Sequence, residues 1–211
     1  MSLFKHLRLW GSIARAAALM AWHSDRRKSV AAKPMRLLPF IIRRERLRTR
    51  KMAELGVPVP SVCMFSVTWR CNLRCVGCYA AGYRRGEELG VETVGRVLRE
   101  AIDLGTYLFV IVGGEPLMVE GIIDLLAGTR DGLFFLFTNG TLLNEAHVEK
   151  LVRAPNVVPV VSFEGDRGEM IFRRGEKACE GALRAMAMLR EAGVFYGVAA
   201  MVTSRNVRIV T

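Results

Sequence analysis

From Val62 onward, uninterrupted apolar runs alternate with amphipathic stretches, and this alternation constrains the fold more than any other feature of the chain. VCMFSVTW (Val62–Trp69), YLFVIVGG (Tyr107–Gly114), GLFFLFTNG (Gly132–Gly140), NVVPVVSFEG (Asn156–Gly165) and VFYGVAAMVT (Val194–Thr203) read as buried strands. Pro159 is the one residue at odds with that reading, because proline cannot donate to a sheet ladder. Between the strands, VETVGRVLREAIDLG (Val91–Gly105) and the segments Pro116–Leu126, Asn144–Val152 and Lys177–Ala192 have helical spacing. Continuous apolar strands separated by amphipathic helices mean βαβ units and a parallel sheet, an α/β fold. In such folds ligands collect at the carboxyl ends of the strands. The distinctive motifs all fall there: a cysteine-rich loop after the first strand, GGEP after the second, TNG after the third and SFEG after the fourth. No internal repeat is evident.

Charge divides the chain. Its formal net charge is +11, yet residues 61–211 hold 17 Lys/Arg and 17 Asp/Glu, while residues 1–60 hold 14 against 3. The stretch GVPVP (Gly56–Pro60) marks the expected boundary, giving a basic, mainly helical extension over 1–60 and a neutral domain over 61–211. Within the extension, Leu3, Leu7, Trp10, Ala14, Ala17 and Ala21 would line one face of a basic amphipathic helix, and a second basic helix is expected over Leu38–Leu55, after Pro34 and Pro39. Such an arm suits an anionic membrane surface or an acidic partner, or is simply solvated. The apolar stretch Leu9–Trp22 is too short to span a bilayer, and no cleavage pattern follows it. Beyond charge there is no nucleic-acid signature, so no nucleic-acid partner is expected. The setting these features suit is cytoplasmic, with peripheral contact at the inner face of the membrane.

Five cysteines occur, an odd number with three clustered, which argues against a disulfide framework. Cys63 and Cys179 lie alone in apolar surroundings and read as core residues. Cys71, Cys75 and Cys78 have the spacing C-x3-C-x2-C in RCNLRCVGCYA. Thiolates bind zinc or iron–sulfur clusters. Structural zinc takes four ligands, usually as two close pairs, and His6, His23 and His147 show no metal-binding spacing. A [4Fe–4S] cluster with three cysteine ligands would keep one iron open.

CNLRCVGCY resembles the cluster motif of the radical S-adenosylmethionine (radical SAM) enzymes, and GGEPL (Gly113–Leu117) is similar to that family's second motif. TNGTLL and SFEG resemble its third- and fourth-strand signatures, so the resemblance covers residues 62–211. It implies a partial (βα) barrel in which Cys71, Cys75 and Cys78 hold a [4Fe–4S] cluster. It further implies that S-adenosylmethionine chelates the open iron and is cleaved reductively to a 5′-deoxyadenosyl radical, which abstracts hydrogen from a substrate. An electron donor such as flavodoxin or ferredoxin would be the partner. The cofactor site would draw on Gly113, Gly114, Glu115, Pro116, Tyr79, Thr138, Asn139 and Ser162. Glycines admit close backbone approach, and Glu115 suits a charge-assisted bond from an ammonium group. Pro116 suits a first helical turn. Glu164 and Arg174 are weaker candidates, with a surface location as their default. Many members carry an aromatic residue just before the third cysteine, where this chain has Gly77, with Tyr79 following. The family core has six βα units, so five strands lead one to expect a fragment or a shortened form. The substrate is left open, and the competing reading is a non-catalytic protein using the three cysteines structurally.

Overall fold

Each apolar run becomes a strand of a single parallel sheet. The computed structural model describes residues 32–82 and 88–210, so the amphipathic helix expected between Leu3 and Ala21 lies outside the described residues. The elements are α1 (Ala32–Leu55), β1 (Val62–Ser66), α2 (Val91–Asp103), β2 (Leu108–Val112), α3 (Ile122–Gly128), β3 (Leu133–Thr138), α4 (Glu145–Arg153), β4 (Val157–Ser162), α5 (Arg167–Arg174), α6 (Glu176–Glu191), β5 (Gly197–Ala199) and α7 (Val207–Val210). Contacts divide the chain into two compact units, Met1–Arg46 and Leu47–Thr211. All strands belong to the second.

The strands stand side by side in sequence order, β1-β2-β3-β4-β5, every pair parallel. Each new strand is added to the same edge, which is how a βα barrel winds, whereas a doubly wound sheet reverses direction. Register follows from alternation. Phe65, Ile111, Leu136 and Pro159 form one cross-strand row, and Cys63, Phe109, Phe134 and Val157 another. Both rows belong to the core, beside Val94, Leu98 and Ile102 of α2 and Ile122, Ile123 and Leu126 of α3. Phe109 and Phe134 have no exposed surface, and their rings stack with centroids 5.2 Å apart. The alternate residues Val110, Val112, Phe135 and Phe137 face the other side and are only half-buried. Cys179 is fully buried and Cys63 packs against the core, as their apolar contexts imply.

Three elements differ from expectation, and one strand accommodates a proline, each for a local reason. The helix expected over Pro116–Leu126 is divided into a 3-10 turn, Pro116–Met118, and α3, because Gly121 between them takes φ 75°. Helix α1 starts before Pro39 and runs through it, since a proline removes one bond from a helix of 24 residues without ending it. Pro159 sits inside β4, but β5 pairs with β4 only from Val160 onward, so the missing N–H leaves no gap in that ladder. β5 has three residues, not ten, because the Met201 N–H is directed to the Glu164 carboxylate at 2.9 Å. In addition, α5 was not expected, although Asp166 caps it by accepting from the Glu169 N–H at 2.8 Å. Among the described residues no helix is long and apolar enough to cross a membrane.

Truncating Phe134 to alanine removes one half of the stacked pair at the centre of the sheet. The expected cost is about 3–5 kcal/mol, read as a lowered urea midpoint with an unchanged slope; a loss under about 1 kcal/mol would contradict the packing described.

Candidate functional site at the carboxyl end of the sheet

Beyond β1 the chain keeps pairing with the segment beyond β2. The Val67 N–H donates to Val112 O at 3.0 Å, Gly114 N–H to Thr68 O at 2.7 Å and Glu115 N–H to Arg70 O at 2.8 Å. This explains the paired glycines. A Cβ on Gly114 would lie 2.2 Å from Arg70 O, and one on Gly113 would lie 2.6 Å from Thr68 O. The close approach is thus by the chain's own backbone as it enters the cysteine loop. Glu88 holds that entry: its carboxylate accepts from the Thr68 hydroxyl, from the Trp69 N–H at 3.1 Å and from Arg70 Nε at 2.7 Å. The Thr68 bond leads the interactions that keep Glu88 below the usual carboxylate range.

Glu115 closes the turn after β2. It is 1% exposed. Oε1 accepts from the Leu117 N–H at 3.1 Å and the Thr138 hydroxyl at 2.8 Å, while Oε2 accepts from the Asn139 N–H at 2.7 Å. Burial pushes its pKa up, against the opposing pull of these donors. Asn139 carries the connection onward. Its Nδ2 donates to Asn72 Oδ1 at 2.9 Å and lies 4.0 Å from Cys71 Sγ, and its Oδ1 accepts from the Thr141 N–H at 2.9 Å. The polar atoms of Thr138 and Asn139 therefore tie β2, β3 and the cysteine loop together.

The residues expected at the site gather around one cavity of about 280 Å³. Cys71, Cys75, Cys78 and Tyr79 line it from the loop, Gly113, Gly114 and Glu115 from beyond β2, Thr138 from the end of β3, Asn139 from just beyond it, and Ser162 from the end of β4. The Tyr79 hydroxyl donates to Gly113 O at 3.2 Å. Pro116 stands one step behind the wall, buried at the start of the 3-10 turn.

Two cationic side chains, Arg173 and Arg174, complete the wall. Glu164 is fully buried rather than a surface charge, and it pairs with both: with Arg173 and, at 2.6 Å, with Arg174 Nε. Burial alone would raise its pKa, but the bonds from Arg174, the Met201 N–H and Arg173 outweigh that and hold it low. The Val76 N–H donates to Arg173 O at 2.8 Å, fastening α5 to the cysteine loop. From sequence, Glu164 and Arg174 read as surface charges by default, and Arg173 is not among the candidates. The pattern D-x-x-E at Asp166–Glu169 was the available signal, since it marks a helix start that carries both arginines inward.

The donor set suits an iron–sulfur group. Three thiols share one cavity, and Cys71 Sγ accepts the Leu73 N–H at 3.4 Å, the kind of bond that tunes cluster sulfurs. Burial is the main cause that pushes the Cys71 and Cys75 thiols up, partly countered at Cys75 by Arg174. Neutral thiols of this kind release their protons when metal binds. Among the described residues no three His, Cys, Asp or Glu side chains are gathered tightly enough to hold a single ion.

The chain is 32% identical over 152 residues to the Fe-coproporphyrin III synthase of Methanosarcina barkeri, covering 70% of this chain and 38% of that protein. It is 33% identical over 159 residues to the AdoMet-dependent heme synthase of the same organism, covering 72% and 45%. The chain thus spans less than half the length of these curated relatives. Streptococcus suis SuiB bound to the precursor peptide SuiA shares the fold, with TM-score 0.64 at 21% identity over 78% of this chain and 39% of that one. The same protein bound to S-adenosylmethionine gives TM-score 0.61 at 20% identity, with the same coverage. The family model described as the radical SAM superfamily matches residues 65–206, and this chain belongs to that superfamily.

Proposed function

We propose that Cys71, Cys75 and Cys78 hold a [4Fe–4S] cluster and that the cavity beside them receives S-adenosylmethionine. The observation that carries this reading is the convergence of three thiols, the GGE turn and three strand ends on one cavity. When bound, the cluster would supply one electron at its open iron for reductive cleavage of S-adenosylmethionine, giving methionine and a 5′-deoxyadenosyl radical that takes hydrogen from a substrate. The chain's residues do the positioning. Glu115 uses three of about four carboxylate acceptor sites internally, which leaves one for the ammonium group of the ligand. Gly113 and Gly114 keep the wall thin, Tyr79 is held against Gly113 O, and Ser162 adds a hydroxyl at the end of β4. Thr138 and Asn139 fix Glu115 and the loop. Half-buried Val112 and Phe137 supply an apolar wall, which excludes water from a reactive radical.

The reading extends to a one-electron donor of the flavodoxin or ferredoxin kind, to a cytoplasmic setting, and to a catalytic domain over 61–211 preceded by a basic extension over 1–60 that contacts anionic membrane. The relatives are named for porphyrin-type products, and the structural neighbour SuiB holds a precursor peptide.

Anaerobic reconstitution with ferrous ion and sulfide is expected to load about four irons and four sulfides per chain, and alanine at Cys71, Cys75 or Cys78 to abolish loading. One tightly held zinc, with no iron taken up, would favour the structural-metal reading instead. Glu115→Gln in the loaded protein should weaken S-adenosylmethionine binding about 10- to 100-fold in calorimetry, as loss of a charge-assisted bond implies; unchanged affinity would remove Glu115 from the ligand site.

A further inference from the structure

Arg173 and Arg174 stand in the cavity wall with the cysteines, and the chemistry proposed so far leaves them unused. Their side chains are 13% and 15% exposed, so their charges act in a setting where Coulomb effects reach farther than in water. One carboxylate, Glu164, pairs with both, and one positive charge is left over. The cations are fixed in place: Glu164 also accepts the Met201 N–H at 2.9 Å, and the Val76–Arg173 backbone bond clamps α5 to the loop between Cys75 and Cys78. Since residues 61–211 carry equal numbers of acidic and basic side chains, this excess is local.

We propose that Arg173 and Arg174 together raise the reduction potential of the cluster held by Cys71, Cys75 and Cys78, easing transfer of one electron from a low-potential iron–sulfur or flavin protein. The inference rests on the cluster reading above. Three thiolates on an oxidised [4Fe–4S] core give a net charge of about −1, and one added electron makes it about −2. A fixed cation in the wall of the same cavity stabilises the more negative state more, and the potential rises. Arginine keeps its charge at any working pH, so the effect does not depend on proton uptake.

The test is a redox titration of the reconstituted full chain without S-adenosylmethionine, using dithionite as reductant and the electron paramagnetic resonance of the reduced cluster as readout. Arg174→Gln should leave about tenfold less reduced cluster relative to oxidised at a fixed potential, a downward shift of about 59 mV for one electron. Arg173→Gln should shift it in the same direction, Arg174→Lys should keep most of the original value, and Arg167→Gln, at the exposed start of α5, should change nothing. An unchanged potential in Arg174→Gln at full iron content would overturn the proposal, as would Arg174→Lys falling as far as Arg174→Gln. Should Arg174→Gln fail to load iron, an unshifted Arg173→Gln would overturn it equally. An unaltered chain that takes up no cluster would instead overturn the cluster reading itself.

Discussion

A carboxylate almost sealed from water, Glu115, is the joint on which the candidate site depends. An isolated charge in such a place would cost several kcal/mol, so its donors have to stay where they are: the start of the 3-10 turn, the Thr138 hydroxyl at the end of β3 and the Asn139 N–H just beyond. Through Asn139 the same constraint reaches Asn72 and Cys71 Sγ. Side-by-side winding of the strands brings these ends together, and the residue-by-residue register from β1 to β4 keeps them level. The glycines beside Glu115 serve this geometry, since any side chain at Gly114 would collide with the backbone entering the cysteine loop.

A second buried carboxylate, Glu164, does similar work across the cavity with an opposite electrostatic outcome. Glu115 is met mainly by neutral donors, and burial prevails to raise its pKa. Glu164 is equally sealed but faces two guanidinium groups, and its pKa is lowered. A depressed carboxylate contributes stability above its unfolded pKa and loses it as pH falls through the folded value. The Glu164 triad therefore supports the fold at neutral pH and weakens only in acid. The thiols lie between a wall organised by one carboxylate and a wall organised by a carboxylate with excess positive charge.

Much of this was legible in the sequence, and the reason is physical. Long apolar runs with helical stretches between them admit few solutions, so the parallel sheet followed, and each motif fell at a strand end. Cys71, Cys75, Cys78, Gly113, Gly114 and Glu115 were readable because their chemistry is specific to their spacing. Arg173 was not, because an arginine reads as surface unless one knows that Glu164 is buried beneath it. The true end of β5 was hidden for the same reason: apolar spacing continues past Ala199, while the Met201 N–H is taken by Glu164. The break at Gly121 depended on one backbone angle that neighbouring propensities outweigh in a sequence window.

The proposed chemistry depends on three sulfurs holding a cluster that keeps one corner free for a ligand. Mössbauer spectroscopy of protein reconstituted with iron-57 tests this directly. On adding S-adenosylmethionine, about one iron in four should separate into a distinct component, and Glu115→Gln should diminish that response. Four irons whose spectrum ignores the ligand would contradict the account.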